Sequence, residues 1–470
     1  MPPIVLCCAV MAVLAQPVRA DQTSSTSETL IRLTVAPAPA PRPALRYLLL
    51  PDLREMNPGN PIQNYYKCFM EQQKFFFDKE AFRRREELLA MPLKELPARE
   101  LHDYGRIALS QADWAARLDA PDWQILQKLK DDGNFLLVPE LADLRKLAPA
   151  LKVRFRAEVA SGRIDDAIRT AKTMFALARH LGEHPTPMGT LVGISYANTA
   201  IGPLEEMLEQ PECPNLYWAL TSLPTPLVPL DKGMEGERVA FTREFRELDS
   251  TAPMSADQLA RFIAHTPRRI LGEPWTAAKV RAWLDARTKD EAMVRDARRR
   301  LVEHGLAEER LLRFPPEQVI LLDEKREYDV RFDDLVKTVN LPAWQAEAMT
   351  GPAWRGEPSP RPATPGREWL FADELVGPSQ YRVHRKRWLL DQRIALLRHV
   401  EALRLYAAAH DGTLPRSLSE VSVPLPDDPL TGKPFRYELA GDTAHLRGQP
   451  PVGEEKNPEY NVHYEVTLRK

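Results

Sequence analysis

The sequence has little cysteine and little glycine for its length, and it has no excess of either charge. Its 470 residues include 4 cysteines, 21 glycines and 43 prolines, with 64 basic against 66 acidic side chains. Such a balance gives no overall field that would attract nucleic acid or an anionic membrane. The chain also lacks a glycine-rich phosphate loop, a dinucleotide fingerprint, a CxxCH haem site and a cysteine–histidine cluster. These absences argue against nucleic-acid binding and against a cofactor-dependent enzyme.

Long apolar runs are missing as well. The apolar segment Ile4–Leu14 is too short to span a bilayer, and the small-residue pattern Val18–Ala20 follows it. This order is typical of a signal peptide that is cleaved before Asp21. We therefore expect residues 1–20 to be removed, the mature chain to have no transmembrane span, and the protein to be exported to the periplasm or the extracellular space. Cys68 and Cys213 would then remain, either as a disulfide or as separate buried thiols.

The composition of the chain predicts a globular, mainly α-helical protein. It is 44% hydrophobic and 28% charged, and its prolines cluster at segment ends, which predicts many short helices joined by stiff turns. Residues 21–46 are rich in serine and threonine and then alternate alanine with proline. We interpret them as an unpacked tether, so that structure begins near Tyr47.

Domain boundaries follow from changes in composition. We predict a helical domain over 47–250, a second helical region over 251–356, a proline-rich linker over 357–366, and an α+β module over 367–470. The first domain, an irregular bundle, includes helices over 147–160, 165–181 and 189–208. In the second region, Ser255 and Gln258 have the spacing of a capping box, which starts a helix.

The stretch from Trp388 to Tyr437 organises the C-terminal module. Apolar residues recur at three- and four-residue steps up to Ala407, which predicts a helix with one buried face, and Gly412 marks its end. Phe435–Leu439, Thr443–Arg447 and Tyr460–Leu468 alternate as strands. The sequence therefore predicts one long helix beside a small antiparallel sheet.

Three resemblances accompany these patterns. Leu414-Pro415, the turn Pro426–Pro429, Gly432 and Tyr437 resemble the globular half of type II secretion pseudopilins, which implies a long helix followed by a small antiparallel sheet. The basic run Arg382–Arg387 precedes this helix in place of the family's membrane-embedded segment, which favours a borrowed fold over a pilus subunit. The turn Gly162–Ala167 resembles a tetratricopeptide hairpin, without a second copy at the repeat period. The arrangement as a whole, including Asn215–Leu220 and Glu401–Tyr406, is similar to a set of large exported bacterial proteins of no known function, which implies a compartment and no chemistry.

One string of residues matches a metal site. His180-Leu181-Gly182-Glu183-His184 fits the H-x-x-E-H pattern of inverted zinc peptidases, in which both histidines lie on one unbroken helix. Gly182 within the string and Pro185 after it predict that the helix ends inside the motif. We therefore expect no zinc here, and two partly exposed histidines at a helix C-terminus, where the helix dipole favours them.

Other candidates also have ordinary explanations. Ser195 stands in a pattern like a nucleophile elbow but within a predicted helix, whereas the elbow needs a preceding strand. Asp427 and Asp428 do not belong to a series of spaced calcium ligands, so we expect them to form a turn. The basic run Arg382–Arg387 is expected to be solvated, with a partner or anion patch as the alternative. We assign no catalytic, cofactor-binding or metal-binding residue and no cofactor.

The leading hypothesis is an exported, non-catalytic scaffold or protein-binding module with a protein partner. One alternative is an exported hydrolase with a site on the 139–208 helices. A second alternative, from the pseudopilin-like end, is an accessory component of a secretion apparatus.

Overall fold

The predicted helical hairpin lies within a long succession of helices. The computed structural model describes residues 28–249, 252–272, 274–350, 369–376, 378–450 and 454–469. These residues are mostly helical, with a small four-stranded sheet, which confirms the predicted fold class of a mainly α protein with an α+β C-terminal part. The predicted signal peptide and linker lie outside the described residues, as do residues 250 and 251 at the expected boundary between the two helical regions.

Nineteen α-helices lie within the described ranges. In chain order they are α1 (Pro61–Glu71), α2 (Gln73–Phe77), α3 (Lys79–Ala90), α4 (Ser110–Ala115), α5 (Leu126–Asp132), α6 (Pro139–Leu144), α7 (Leu147–Ala160), α8 (Ile164–Gly182), α9 (Pro187–Leu208), α10 (Tyr217–Thr221), α11 (Asp231–Glu244), α12 (Ala256–Thr266), α13 (Ala277–Thr288), α14 (Glu291–Glu303), α15 (Glu308–Leu311), α16 (Pro316–Val336), α17 (Ala343–Thr350), α18 (Leu370–Leu375) and α19 (Pro378–Ala409). None of these helices is both long enough and apolar enough to cross a bilayer.

The hairpin α7–α8 and the following helix α9 agree closely with the sequence prediction. Gly162 makes the corner with a φ of 70°, in the left-handed region that favours glycine. Gly193 lets α9 approach α8, because a Cβ atom there would lie 2.6 Å from the carbonyl oxygen of Ala178. The capping box at Ser255 and Gln258 is also formed, at the start of α12.

Helix α19 begins ten residues before the predicted start at Trp388, so the basic run belongs to it. The expectation of a solvated run is wrong for part of it, because His384 and Arg387 are buried and Arg387 donates to the Leu341 carbonyl at 2.7 Å. Lys386 pairs with Glu459 at 2.6 Å. The predicted end is confirmed, since Gly412 has a φ of 70° just past the helix.

Four strands form one mixed sheet with the order β1-β4-β3-β2. They are β1 (Thr29–Val35), β2 (Arg436–Ala440), β3 (Thr443–Arg447) and β4 (Val462–Leu468). The predicted hairpin through Gly441 and Asp442 joins β2 to β3, and β3 pairs antiparallel with β4. The three predicted strands are therefore confirmed, but the sheet has a fourth.

The fourth strand corrects the prediction of an unpacked tether over 21–46 for residues 29–35 of that range. Strand β1 pairs in parallel with β4 along its whole length, from Thr29 opposite Val462 to Val35 opposite Leu468. Ile31, Leu33 and Val35 are buried while Arg32 and Thr34 point outwards. This alternation is the ordinary pattern of a half-buried strand. The segment packs because its apolar side chains cover one edge of the sheet's inner face.

The residues after the predicted linker share a hydrophobic core with the helices before it. One hydrophobic core runs without interruption from Ile31 in β1, through the helices, to Val466 in β4. A polar cluster also joins the parts, because Glu205 on α9 accepts hydrogen bonds from Arg393 on α19 and Tyr464 on β4. The predicted module over 367–470 thus shares its core with the helices before it.

Candidate functional site

An open cleft of about 520 Å³ lies beside the C-terminal end of α8. One wall is the last turn of α8, and the other is the loop that follows α4. The lining residues are Met56, Leu118, Asp119, Ala120, Pro121, Asp122, Arg179, His180 and Glu183. The cleft therefore contains part of the H-x-x-E-H string, together with the carboxylates of Asp119 and Asp122, which are about 60 residues away in the sequence.

The loop wall of the cleft is held in place by hydrogen bonds to the segment before α1. Asp119 accepts from the Gly59 amide at 3.1 Å through Oδ1, and Asn60 donates its side-chain amide to the Asp122 carbonyl at 2.7 Å. The Asn60 oxygen also caps α1 by accepting from the Ile62 amide at 3.0 Å. Both ends of the wall are thus fixed to a helix start, which gives the cleft a defined shape.

The charge of the cleft is predominantly negative. Asp119 and Asp122 are exposed and Glu183 is half-buried, whereas Arg179 is the single basic residue among the lining residues. Arg179 directs Nη1 away to the Leu227 carbonyl at 3.1 Å, and burial lowers the pKa of its guanidinium. Three carboxylates facing one engaged guanidinium make this surface attractive to a cation.

His180 forms the floor of the cleft. Its Nδ1 lies 2.9 Å from the Tyr65 hydroxyl, and its backbone carbonyl accepts from Trp123 Nε1 at 3.1 Å. Burial, with a smaller contribution from the charge of Arg179, lowers the pKa of His180 to about 3. The imidazole is therefore neutral at physiological pH and held in one orientation.

His184 does not join His180 in a metal site. Helix α8 ends at Gly182, between the two histidines, as the sequence predicted. The ring of His184 is turned towards Thr186, whose hydroxyl lies 2.8 Å from Nδ1, and it packs edge-on against Trp123 at 4.6 Å. The expectation of partly exposed histidines is wrong, because Tyr65 and Trp123 come from distant segments and bury both rings.

The remaining candidate residues from the sequence belong to ordinary secondary structure and turns. Ser195 lies inside α9, so the strand that a nucleophile elbow requires is absent there, as predicted. Asp428 is buried and forms the predicted turn, accepting from the amides of Leu430 at 2.9 Å and Gln449 at 2.8 Å and from Gln392. Its oxygens are thus engaged by protein donors, while Asp427 is exposed.

The two cysteines left open by the sequence are separate. Cys68 and Cys213 are both free and buried. Burial raises the pKa of each thiol to about 12, so neither is a reactive thiolate at neutral pH.

Sequence reasoning missed one cluster of possible metal ligands. Among the described residues, the group that can offer a metal three ligands is His445, His463 and Glu465, on strands β3 and β4. Part of this cluster could have been found in the sequence, because His463 and Glu465 are two positions apart in a predicted strand and therefore lie on the same face. The second histidine is contributed by another strand, which no local pattern indicates.

Comparisons of the chain with protein-family models, with curated proteins and with solved structures found no match.

Proposed function

We propose that this protein is an exported, non-catalytic scaffold whose helical part binds a protein partner at the acidic cleft. The observation that carries the proposal is the wall of Asp119, Asp122 and Glu183 around a cleft of about 520 Å³. Export is inferred from the signal-like pattern of residues 1–20. The partner is a polypeptide segment that presents lysine or arginine.

Both the charge and the apolar lining favour such a segment. A lysine or arginine side chain has a cationic head and an aliphatic stem, which packs on apolar surface. The carboxylates of Asp119 and Asp122 are placed to receive the head, and Met56, Leu118 and Pro121 offer surface to the stem. The volume is within the range of ordinary ligand sites.

The state of His180 supports binding over catalysis. A general base works best when its pKa is near the operating pH, and the pKa of His180 is about 3. Its Nδ1 is also occupied by Tyr65. The alternative of a hydrolase on the 139–208 helices would need another base.

A labelled arginine-rich peptide tests the binding site. We expect fluorescence anisotropy to show binding to the purified chain, and the double variant Asp119→Asn, Asp122→Asn to weaken it roughly 10-fold, since each charge pair contributes up to ~1 kcal/mol. Asparagine keeps the oxygen that accepts from the Gly59 and Gln124 amides, so the loop should stay folded. Asp427→Asn removes an exposed carboxylate elsewhere and should have no effect.

Two results would contradict the proposal. Equal affinity of the double variant and the wild-type chain for the peptide would show that the peptide binds outside the cleft. Time-dependent cleavage of the peptide by the purified chain, detected by mass spectrometry and reduced in the double variant, would place the hydrolase hypothesis first.

Export has its own test. When the full chain is expressed in a bacterial host, we expect mass spectrometry of the envelope or secreted fraction to show an N-terminus at Asp21. A soluble cytoplasmic species that retains Met1 would contradict export and leave the cleft proposal standing.

A further inference from the structure

The outer face of the sheet is polar and ordered in rows. Inner positions such as Leu33, Leu446 and Val466 are buried in the core, so the alternate positions face outwards. The strand register sets one outward row across the sheet, namely Arg32, Glu465, His445 and Glu438. A neighbouring row contains Leu30, His463, Arg447 and Arg436. Two histidines and a carboxylate therefore meet at adjacent positions on paired strands.

The spacing of these three side chains suits a transition-metal ion. His445 Nδ1 lies 3.0 Å from His463 Nε2 and 3.8 Å from Glu465 Oε1, and the three ligand atoms lie within 4.8 Å of one another. Ligands of a tetrahedral zinc ion at their usual bond lengths are about 3.3 Å apart. The two shorter separations lie within about half an ångström of this value, and the third is at most 4.8 Å, so rotation of the side chains can bring all three atoms to bonding distance of one ion.

Further side chains orient two of the three ligands. Glu28 Oε1 lies 3.4 Å from Nδ1 of His463, which turns Nε2 of that ring towards His445. Arg32 donates to Oε2 of Glu465 at 2.8 Å, which leaves Oε1 on the histidine side. A carboxylate on the outer nitrogen of a ligating histidine is the usual support of protein zinc sites.

The surroundings provide both rigidity and charge. The ligands lie on paired strands, and His463 is 3% exposed. Arg447 and Arg32 bring positive charge near the site, whereas Glu28, Glu465 and Glu438 bring negative charge, and Glu438 itself pairs with Arg447 at 3.8 Å. With Arg436 opposite Arg447, the three carboxylates are balanced by three guanidiniums, so this face presents no net positive charge to a dication.

We propose that His445, His463 and Glu465 bind a divalent transition-metal ion of the zinc class, with Glu28 as a positioning residue. Two imidazoles and one carboxylate suit Zn²⁺ or Cu²⁺ and not Ca²⁺ or Mg²⁺, which prefer oxygen ligands. Because Glu28 precedes β1, the ion would fasten β1, β4 and β3 together on their outer face. This inference replaces the expectation that no residue of the chain binds a metal, and it does not depend on the acidic cleft.

Zinc titration of the chelator-stripped full chain tests the proposal. We expect one equivalent of Zn²⁺ to bind in competition with a chromophoric chelator and to raise the melting temperature, while Ca²⁺ does neither. The double variant His445→Ala, His463→Ala should lose both effects. His102→Ala removes an exposed histidine elsewhere and should keep them. Glu28→Gln should weaken zinc roughly 10- to 100-fold without abolishing it.

Substitution of Co²⁺ adds a readout that is independent of stability. A four-coordinate site with imidazole ligands gives an intense visible spectrum, which we expect for the wild-type chain and not for the double variant. No zinc binding by the wild-type chain would overturn the proposal. Unchanged binding by a folded double variant, verified by circular dichroism, would also overturn it.

Discussion

The sequence predicts the hairpin region α7–α9 more completely than it predicts the C-terminal sheet. In the hairpin region, helix ends fall within a residue or two of the predicted positions, because glycine turns and apolar periodicity act over short distances. In the sheet, three strands were expected, but the partner of β4 comes from the other end of the chain. Alternation of apolar and polar residues therefore identifies a strand but does not indicate which strand pairs with it.

Buried polar contacts over long sequence separations also hold the C-terminal part in place. Arg404 in α19 is fully buried and joins the helix to two distant segments, donating to the carbonyls of Ala36 at 2.9 Å and Cys213 at 2.7 Å, and it also donates to the Glu401 carboxylate at 2.7 Å on the same helix. The first two contacts join residues 368 and 191 positions apart, so they could not be inferred from local sequence.

The largest effect is expected for Arg404→Ala. Removing the guanidinium leaves the buried Glu401 carboxylate without its cation, which destabilises by about 3–5 kcal/mol. Because one core joins the parts, urea denaturation should show a single transition at lower concentration. Arg382→Ala, an exposed arginine on the same helix, should change the free energy of unfolding by less than ~0.5 kcal/mol. A separate early transition of the C-terminal part would show that the module is independent after all.

The next effect concerns strand β1, which lies in the segment predicted to be a tether. Leu33 is 3% exposed, so Leu33→Ala should lower the free energy of unfolding by about 2–5 kcal/mol. Its neighbour Thr34 faces outwards and bonds to the Thr467 hydroxyl at 3.1 Å, so Thr34→Ala should lower it by only ~1 kcal/mol. If both variants were silent in urea denaturation, β1 would not contribute to the fold.

A third prediction uses pH at the start of α18, just after the predicted linker. Glu324 Oε2 accepts from the amides of Leu370 at 2.6 Å and Phe371 at 3.2 Å, while Oε1 is buried and has no hydrogen-bond partner within the described part of the chain. Burial, opposed by those two amides, raises the pKa of Glu324 from 4.5 to about 8. The folded chain thus holds this proton more tightly than the unfolded chain.

The sign of the pH effect follows from this raised pKa. The contribution of Glu324 to stability is complete below pH 4.5 and is lost as the pH rises through 8, at about 1.4 kcal/mol per pH unit between these values. Between pH 6 and 9 the wild-type chain should lose roughly 2–3 kcal/mol of this contribution. Glu324→Gln keeps an oxygen for both amides and should remove that part of the pH dependence. Equal pH profiles of the two chains would contradict the prediction.

The smallest effect tests the hairpin region, with a matched pair of glycines on α9. Gly193→Ala places a Cβ atom 2.6 Å from a backbone oxygen of α8 and should destabilise by about 1–3 kcal/mol. Gly202→Ala meets nothing within 4 Å and should stabilise by ~0.5–1 kcal/mol, because alanine favours the helix. Thermal unfolding of the two variants should shift in opposite directions. If Gly193→Ala left the melting temperature unchanged, α8 and α9 could move apart without a loss of stability, which would contradict the prediction.

Sequence alone determined the helical class, the ends of α7 to α9, the stop at Gly412, the turn at Asp428 and the break inside the H-x-x-E-H string. Each depends on residues a few positions apart, whose conformational preferences act before any tertiary contact forms. Only the tertiary structure decided that β1 joins β4, that Tyr65 and Trp123 bury His180 and His184, and that His445 meets His463. These contacts join residues far apart in the chain, and many partners satisfy an alternating or apolar pattern equally well. The choice among them is made by the packing of one shared core, which is a property of the whole chain.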